Sequence, residues 1–368
     1  MDNGIRENNM DRMPQLLIVN VGSTSTKIAL FKGTEFVVQD TITYSADELS
    51  GYAGLHDQLP RRRDDLEQFV GKNNISLTAV DLFISRGGLG KPGPAGSYAV
   101  DEAMCEDLLA GKYGRHPSAL GPAMMLDLAG KYGKRAIIID PPSTDEFDPV
   151  ARISGMPEIE RRSAFHALNQ KAAARRMARS VGRAYEELRL VVAHLGGGIT
   201  IGAHRNGRVV DCTHGLTEGP LTPERAGGLP TQDLIDLALS GVMDRKQLQT
   251  RLVGRGGLAA YLGTADAKEV EAMILQGDEK AGLIYRAMAY QIAKDIGAMH
   301  VALKGPADGI VLTGGLARSE MLTGWIRDWA EGLAPVFVYP GEDEMTAMAE
   351  GGMRVLSGEE PVRRYNKG

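Results

Sequence analysis

With only two cysteines in 368 residues, a disulfide-built scaffold is excluded. Cys105 and Cys212 form neither a CxxC pair nor a zinc-ligand spacing. A reducing compartment is implied, and Cys212, closing an apolar run, reads as a small core residue. No stretch of about 18 apolar residues occurs, so no membrane-spanning helix is expected. The opening MDNGIRENNMDRMPQ is polar and lacks the apolar segment of a signal peptide. Charge of one sign is lacking too: 42 Lys and Arg stand against 47 Asp and Glu, a formal net charge of −5. That balance gives no footing for nucleic acid or an anionic membrane. The chain is expected to be soluble and cytoplasmic, with neither as a partner. Arg61-Arg62-Arg63 is followed by Asp64, Asp65 and Glu67, and reads as a solvated helix start. There is no GxxxxGK[ST] loop, no GxSxG elbow, no HExxH and no protein-kinase set.

Glycine, by contrast, is abundant at 46 residues. Residues 190–213 read as strand, glycine turn, strand, tight turn, strand. Val191 to Ala193 is apolar, Gly196-Gly197-Gly198 turns, and Ile199 to His204 forms the next strand. Asn206-Gly207 is a strong hairpin signal before Arg208 to Cys212. Glycines allow close ligand approach, and successive N–H groups in such a turn can hold an anion. A plain β-meander explains the hairpin equally well. The pattern, however, occurs twice. Leu17 to Val19, Gly22-Ser23-Thr24-Ser25, Lys27 to Phe31, Lys32-Gly33 and Glu35 to Val38 repeat it 174 residues earlier. Superposing Gly22 on Gly196 sets Asn20 on His194, Ala29 on Ala203 and Gly33 on Gly207. So long a repeat is no solenoid but suggests two similar α/β domains, each offering a turn. An ATP-sized polyphosphate needs several such cradles.

Other candidate positions punctuate the chain. Residues 1–13 read as an extension, and a short helix is expected from Asp64 to Asn73. Val80 to Ile84 is a buried strand ending at Ser85-Arg86-Gly87-Gly88, where α/β domains place ligand contacts; an exposed loop arginine is the plainer reading. A helix begins at Asp101, and another runs from Ser118 to Lys131 after His116-Pro117. Ala136 to Ile139 ends at Asp140-Pro141-Pro142, a fixed carboxylate or simply a turn residue. The longest helix is expected from Glu158 to about Leu188, with His166 in its first turns beside Phe165. Arg225 lies in the glycine- and proline-rich loop from Glu218 to Gly228, set much as Arg86 is. Two arginines on rigid loops suit a phosphoryl group. Thr231 is expected to cap a helix. The methionines of Glu279 to Leu303 read as core. Ile310 to Leu312 leads into a third turn, Thr313-Gly314-Gly315, able to hold an adenosine or phosphate. Glu342, Asp343 and Glu344 are an acidic cluster at a helix start, or a magnesium contact.

VNVGSTSTKIALF, AHLGGGITIGAHRNGRVVD and VLTGGLA, in this order, resemble the two phosphate motifs and the adenosine motif of the acetate and sugar kinase, Hsp70 and actin superfamily. ISRGGLG, ARISGMPEIERRSAFHALNQK and TEGPLTPERAGGLP resemble the acetokinase family, its butyrate kinases in particular, and the resemblance spans about residues 15–357. The resemblance implies an α/β fold of two ribonuclease-H-like (actin-like ATPase) domains with mixed sheets flanked by helices and an active site in the interdomain cleft. It places the boundaries at 14–140 plus 344–368 for an acyl- and phosphate-side domain, and at 141–343 for a nucleotide-binding domain. The reaction implied is reversible phosphoryl transfer between ATP and a short-chain carboxylate, giving acyl phosphate and ADP with Mg2+. A homo-oligomer, dimer or larger, is implied as well.

Carried over residue by residue, Arg86, Asp140, His166 and Arg225 match the family's catalytic residues. Asn20, Gly22, Ser23, Thr24, Ser25, Lys27, His194, Gly196, Gly197, Gly198, Gly314 and Gly315 match its nucleotide contacts. Asn20 and Glu344 match the metal-linked pair, with Asp343 as the rival to Glu344. Arg86, Gly88, His116, Phe165 and Leu216 are the implied substrate-side residues. Acetate kinases usually carry a second histidine four positions after the one matched to His166; here it is Gln170, which counts against acetate. A valine two positions after the first arginine is here Gly88, which is expected to leave room for a longer acyl tail. A carboxylate is already an anionic nucleophile, so charge neutralisation and in-line positioning should supply the catalysis.

Overall fold

The computed structural model describes residues 12–365. The described residues up to Ser143, together with those from Asp343 on, form one compact unit; Thr144–Glu342 form the other. The division falls at 143/144 and 342/343, against the 140/141 and 343/344 expected. Of the 1–13 extension, residues 1–11 lie outside the described residues. Arg12 is tied down, donating to Ala79 O at 2.7 Å and to Asp81 Oδ2 at 2.8 Å.

In chain order the first unit holds strands β1 (Gln15–Val21), β2 (Ser25–Lys32), β3 (Glu35–Thr43), β4 (Leu82–Ser85), β5 (Ser97–Ala99) and β6 (Ala136–Ile139). The second holds β7 (Arg189–Leu195), β8 (Ile199–Arg205), β9 (Arg208–Cys212), β10 (Gly309–Gly314) and β11 (Val336–Pro340); β12 (Val362–Arg363) returns to the first. The first sheet runs β12-β5-β6-β4-β1-β2-β3, the second β11-β10-β7-β8-β9. In each, an antiparallel meander of three strands is extended beside its first strand by two parallel ones. The central strands are apolar on both faces and fully buried, as strands covered by helices on both sides must be. Both sheets are mixed, which is the ribonuclease-H-like pattern.

The repeat is real, with one slip. Leu17 pairs with Leu30 and Val191 with Ala203. An offset of 174 holds for β1 and β7, but the first turn is one residue longer. In space Leu30, not Ala29, therefore answers Ala203. The second hairpin turn is Asn206-Gly207, both at positive φ (53° and 74°), as a type I′ turn requires. Its counterpart is Gly33-Thr34 between Lys32 and Glu35, so Gly33 answers Asn206 rather than Gly207.

Several helices differ from expectation. The stretch from Glu158 is not helical until Ala167, and the helix is Ala167–Ser180. Arg161 holds the preceding segment against β9, donating to Asp211 Oδ1 at 3.0 Å, Glu218 at 3.1 and 3.0 Å, and the carbonyls of Ala151 and Cys212. Gly182, at φ +68°, lies just past the helix end. The longest helix is instead Glu279–Ala302, whose Met288 and Met299 are core as expected. Thr231 is the first helical residue; Pro230 precedes it and makes no side-chain cap. The Asp64 helix starts earlier, at Leu59, with Pro60 in its first turn. Its Arg62 is 1% exposed, so the basic run is not all solvated. Gly351 and Gly352 let the helix Glu344–Leu356 lie close on the first sheet. A Cβ at either would come within 2.6 Å of Ile139 Cδ1 or 2.5 Å of Ile84 Cδ1. Among the described residues no helix is long and apolar enough to cross a membrane.

Candidate active site

In the first unit, Asn20 sits at the end of β1, 7% exposed, and donates from Nδ2 to Glu344 Oε2 at 2.7 Å. Arg86, just after β4, meets the other oxygen of that carboxylate at 3.3 Å. Strand ends β1 and β4, adjacent and parallel, thus bring Asn20 and Arg86 to one carboxylate. Asp343 does other work: it caps the helix, accepting from Thr346 N at 3.1 Å. Lys27 stands opposite Asn20 on β2, exposed, and so on the same face. The turn between them closes through Gly22 N donating to Ser25 O at 2.8 Å, with Ser23 and Thr24 exposed.

Beneath that turn lies Arg62. Its guanidinium donates to Ser25 O (3.2 Å), Thr26 Oγ1 (2.8 Å), Ser23 O (3.4 Å) and Gln58 Oε1 (2.9 Å), and lies 4.4 Å from the Tyr44 ring centre. Asp65 accepts from Tyr44 Oη at 2.7 Å and also pairs with Arg61. The Tyr44 hydroxyl is pushed up to about 12, first by burial, with Asp65 adding. Sequence reading missed Arg62, because nothing in a run of three arginines says which one turns inward.

His116 precedes a short 3-10 turn, Pro117–Ala119, and caps it: Nδ1 faces Ser118 Oγ at 2.8 Å and accepts from Ser118 N at 3.2 Å. Burial, then the charge of Arg86, hold its imidazole below the usual value, with Glu344 opposing. Asp140 is 1% exposed and sits at φ +40°, a left-handed conformation rare for a side-chain-bearing residue. It is locked to Gly96, accepting from Gly96 N at 2.8 Å through Oδ1 and donating its own N–H to Gly96 O at 3.0 Å. Backbone strain held by surrounding bonds is common at working sites.

Gly88 does not open space for an acyl tail. A Cβ there would lie 2.9 Å from Ala119 Cα and 3.0 Å from Leu108 Cδ2, so neighbours already fill the space. The apolar cavity beside it is about 20 Å³, roughly room for one water. Phe165 also departs from expectation. It is 6% exposed and packs with Phe147, Ala167, Val209 and Cys212, as a core residue and not a pocket wall.

In the second unit, His194 ends β7 and is 2% exposed. Its Nδ1 meets Asn169 Oδ1 at 2.7 Å and its Nε2 meets Glu342 Oε1 at 3.1 Å. His166, the residue before the helix Ala167–Ser180, stacks on it with ring centres 3.8 Å apart and planes within 15°. The glycine turn that follows is packed tightly. A Cβ at Gly196 would stand 2.9 Å from Glu342 Oε1 and 3.0 Å from His194 Nε2. One at Gly198 would stand 2.9 Å from Arg225 Nη2 and nearer still to Cζ and Nη1. Arg225 therefore lies across the third glycine, anchored by donating from Nη1 to Gly215 O at 2.6 Å. Burial pulls its guanidinium below the ordinary value, with Glu224 opposing, and it stays charged. Gly215 is also packed against Thr200, the partner of His166, so Arg225 and His166 share one neighbourhood. Leu216, next in the chain, is 52% exposed.

From Gly196 and Gly197 a cavity of about 420 Å³ extends past Glu224, Lys268 and Arg318 to Gly315 and Glu271, a size usual for small-molecule sites. Gly314, at φ +92°, lies so close to the Leu195 backbone that no Cβ fits. It joins the third glycine turn to the end of β7. Lys268, Glu271 and Arg318 went unnoticed in the sequence because they lie on helix or 3-10 positions with ordinary spacing.

Two copies of one five-strand core, each opening on a turn of small residues, define the ATPase-type fold shared by acetate and sugar kinases. The profile of the acetokinase family matches residues 157–324. Over 352 residues, 95% of this chain and 99% of the relative, the sequence is 44% identical to butyrate kinase 2 of Clostridium acetobutylicum. The chain belongs to the acetokinase family. Among solved structures, an acetate kinase from Porphyromonas gingivalis superposes with a TM-score of 0.77 at 18% identity, covering 93% of this chain and 100% of that one. A propionate kinase from Francisella tularensis subsp. tularensis gives 0.73 at 16% identity, covering 92% and 99%. At such identities these two likenesses establish the fold.

Proposed function

We propose that this protein is a short-chain carboxylate kinase, transferring the γ-phosphoryl of ATP reversibly to butyrate, or a branched acid of similar length, to give acyl phosphate and ADP. It is a phosphotransferase with a carboxyl acceptor. The observation that supports this most is in the second unit: a nucleotide-sized cavity ends at a glycine turn with Arg225 across it and His166 beside it. The choice of butyrate rests on the name of the full-length relative, since Gly88 supplies no added space.

The roles follow from charge. A carboxylate attacking a phosphoryl group brings two anions together, so the barrier falls when fixed cations neutralise both. Arg225, held rigidly by Gly215 O, would stabilise the phosphoryl oxygens, and His166 would donate to one of them. Arg86 would hold the acid's carboxylate. His194 and the N–H groups of Gly196–Gly198 would take the nucleotide phosphates, with Gly314 and Gly315 at the adenosine. Asp140 would orient its loop rather than accept a proton, because a carboxylate needs no base. Asn20 and Glu344 fit a magnesium ion: an amide and a carboxylate side by side are hard oxygen donors, and magnesium takes its other ligands from water and phosphate. When bound, the ion would neutralise phosphate charge. On this reading the first unit is the acyl and phosphate side and the second the nucleotide-binding side, as the resemblance implies. We also propose a cytoplasmic homo-oligomer, which sedimentation would test.

Hydroxamate trapping of acyl phosphate, with ATP and magnesium, across acetate, propionate, butyrate, isobutyrate and valerate tests the reading. Highest kcat/KM at four carbons supports it. A peak at acetate keeps the chemistry and discards the substrate. ATP binding without acyl phosphate from any acid refutes the kinase reading and favours a nucleotide-binding protein that transfers nothing.

A further inference from the structure

Gln170 stands where a second family histidine was expected, and it is fully buried, 0% exposed, so it cannot line a substrate pocket. It is instead the middle of a continuous hydrogen-bonded chain, Tyr185–His204–Gln170–Thr200–His166. The direction of each bond in that chain can be worked out from chemistry.

The carbonyl of Thr200 can only accept, and the Gln170 atom 3.0 Å from it is therefore Nε2. That leaves Oε1 toward His204 Nε2, at 3.0 Å, so His204 carries its proton on Nε2. His204 is 0% exposed, so a positive charge on its ring is disfavoured. A neutral His204 accepts at Nδ1 from the Tyr185 hydroxyl at 2.8 Å. At the other end, Thr200 Oγ1 accepts from Gln170 Nε2 at 2.9 Å and from His166 N at 3.4 Å. Both of its lone pairs are then engaged, and its single hydrogen has His166 Nδ1 at 2.9 Å. Nδ1 of His166 accepts, so the ring proton is on Nε2. Stacking on His194 keeps the ring in that plane.

We propose that this buried chain fixes His166 as the Nε2–H tautomer, so that it meets the transferring phosphoryl group as a hydrogen-bond donor. Thr200 and Gln170 are positioning residues, with His204 and Tyr185 behind them. Both His166 and Gln170 reach Thr200 because they lie four residues apart, one helical turn, on the same side. The donor role rests on the kinase reading above; the tautomer does not.

The test is long-range 1H–15N correlation NMR of the full-length protein labelled at histidine, with His166→Asn used to assign the ring. The expected spectrum shows His166 protonated at Nε2 and bare at Nδ1. Thr200→Val keeps the shape and removes the hydroxyl. It should give a mixture of tautomers and lower kcat at least about tenfold, on the scale of losing part of one transition-state donor, with the KM for ATP nearly unchanged. Thr200→Ser should restore both. Should Thr200→Val fail to fold, the wild-type spectrum still decides, because it shows which nitrogen of His166 carries the proton. A wild-type His166 protonated at Nδ1 overturns the proposal, as does a Thr200→Val protein with unchanged tautomer and kcat. The expected tautomer with no acyl phosphate formed would uphold the relay and sink the kinase reading instead.

Discussion

Gly198→Ala should disable the enzyme through a residue it does not replace. The added Cβ would stand 2.9 Å from Arg225 Nη2 and closer to Cζ and Nη1, and no guanidinium can share that space. Gly198 is not at positive φ, so alanine adds no backbone strain. The fold should survive while Arg225 swings off the turn and loses its 2.6 Å anchor on Gly215 O. Loss of one preorganised donor to a transition-state oxyanion costs about 2.7–4 kcal/mol, or roughly a hundred- to a thousandfold in kcat. Gly198→Ala and Arg225→Ala should each fall in that range. Being one lesion, they should not add: the double variant should stay within about threefold of Arg225→Ala, where independent sites would multiply. Single-turnover formation of trapped hydroxamate, with thermal melts as a control, measures this. A Gly198→Ala protein with near-normal kcat, or a double variant falling by the product of the two, refutes the reasoning.

Three further outcomes follow from the first unit. Arg62→Met should cost about 2–3 kcal/mol in denaturant unfolding, because it leaves the carbonyls of Ser23 and Ser25 and the Thr26 hydroxyl without their buried charged donor, and it should raise the KM for ATP; unchanged stability would show the network to be idle. Glu344→Gln should raise the magnesium concentration for half-maximal activity at least about tenfold, while Asp343→Ala should cost about 1 kcal/mol of stability and leave the magnesium dependence alone; equal magnesium shifts in both would show that the cluster does not divide its work as described. His116 is lowered in the folded state, so the unfolded chain takes up its proton first as pH drops. Its contribution is intact above about 6.5 and fades as pH falls below that value toward its folded pKa. His116→Asn, which can still cap, should flatten the loss of denaturant stability between about pH 7.5 and 5.5, and an unaltered slope would count against the burial of that ring.

What the sequence made legible is what local chemistry dictates. The two meanders, their glycine turns and the strand ends at Asn20, Arg86, Asp140 and His194 follow from apolar runs closed by turn residues. What stayed hidden depends on partners far along the chain. Arg161 draws the segment before Ala167 out of a helix by reaching β9, some fifty residues on. Arg62 looks like its two neighbours until the turn it supports is in view. The Gly88 argument failed for a similar reason: a missing side chain makes room only if nothing else moves in, and Ala119 has. Gln170 was read as a substrate clue because of its position, whereas its burial makes it part of the scaffold behind His166.

The most direct test uses butyrate labelled with 18O in both carboxyl oxygens, incubated with ATP, magnesium and hydroxylamine. Hydroxylamine attacks the acyl carbon, so the phosphate released keeps the bridging oxygen. If the carboxylate is the nucleophile, each hydroxamate formed should release one phosphate bearing a single 18O. Unlabelled phosphate appearing in its place would mean that water is the acceptor, and the carboxylate kinase account would be wrong.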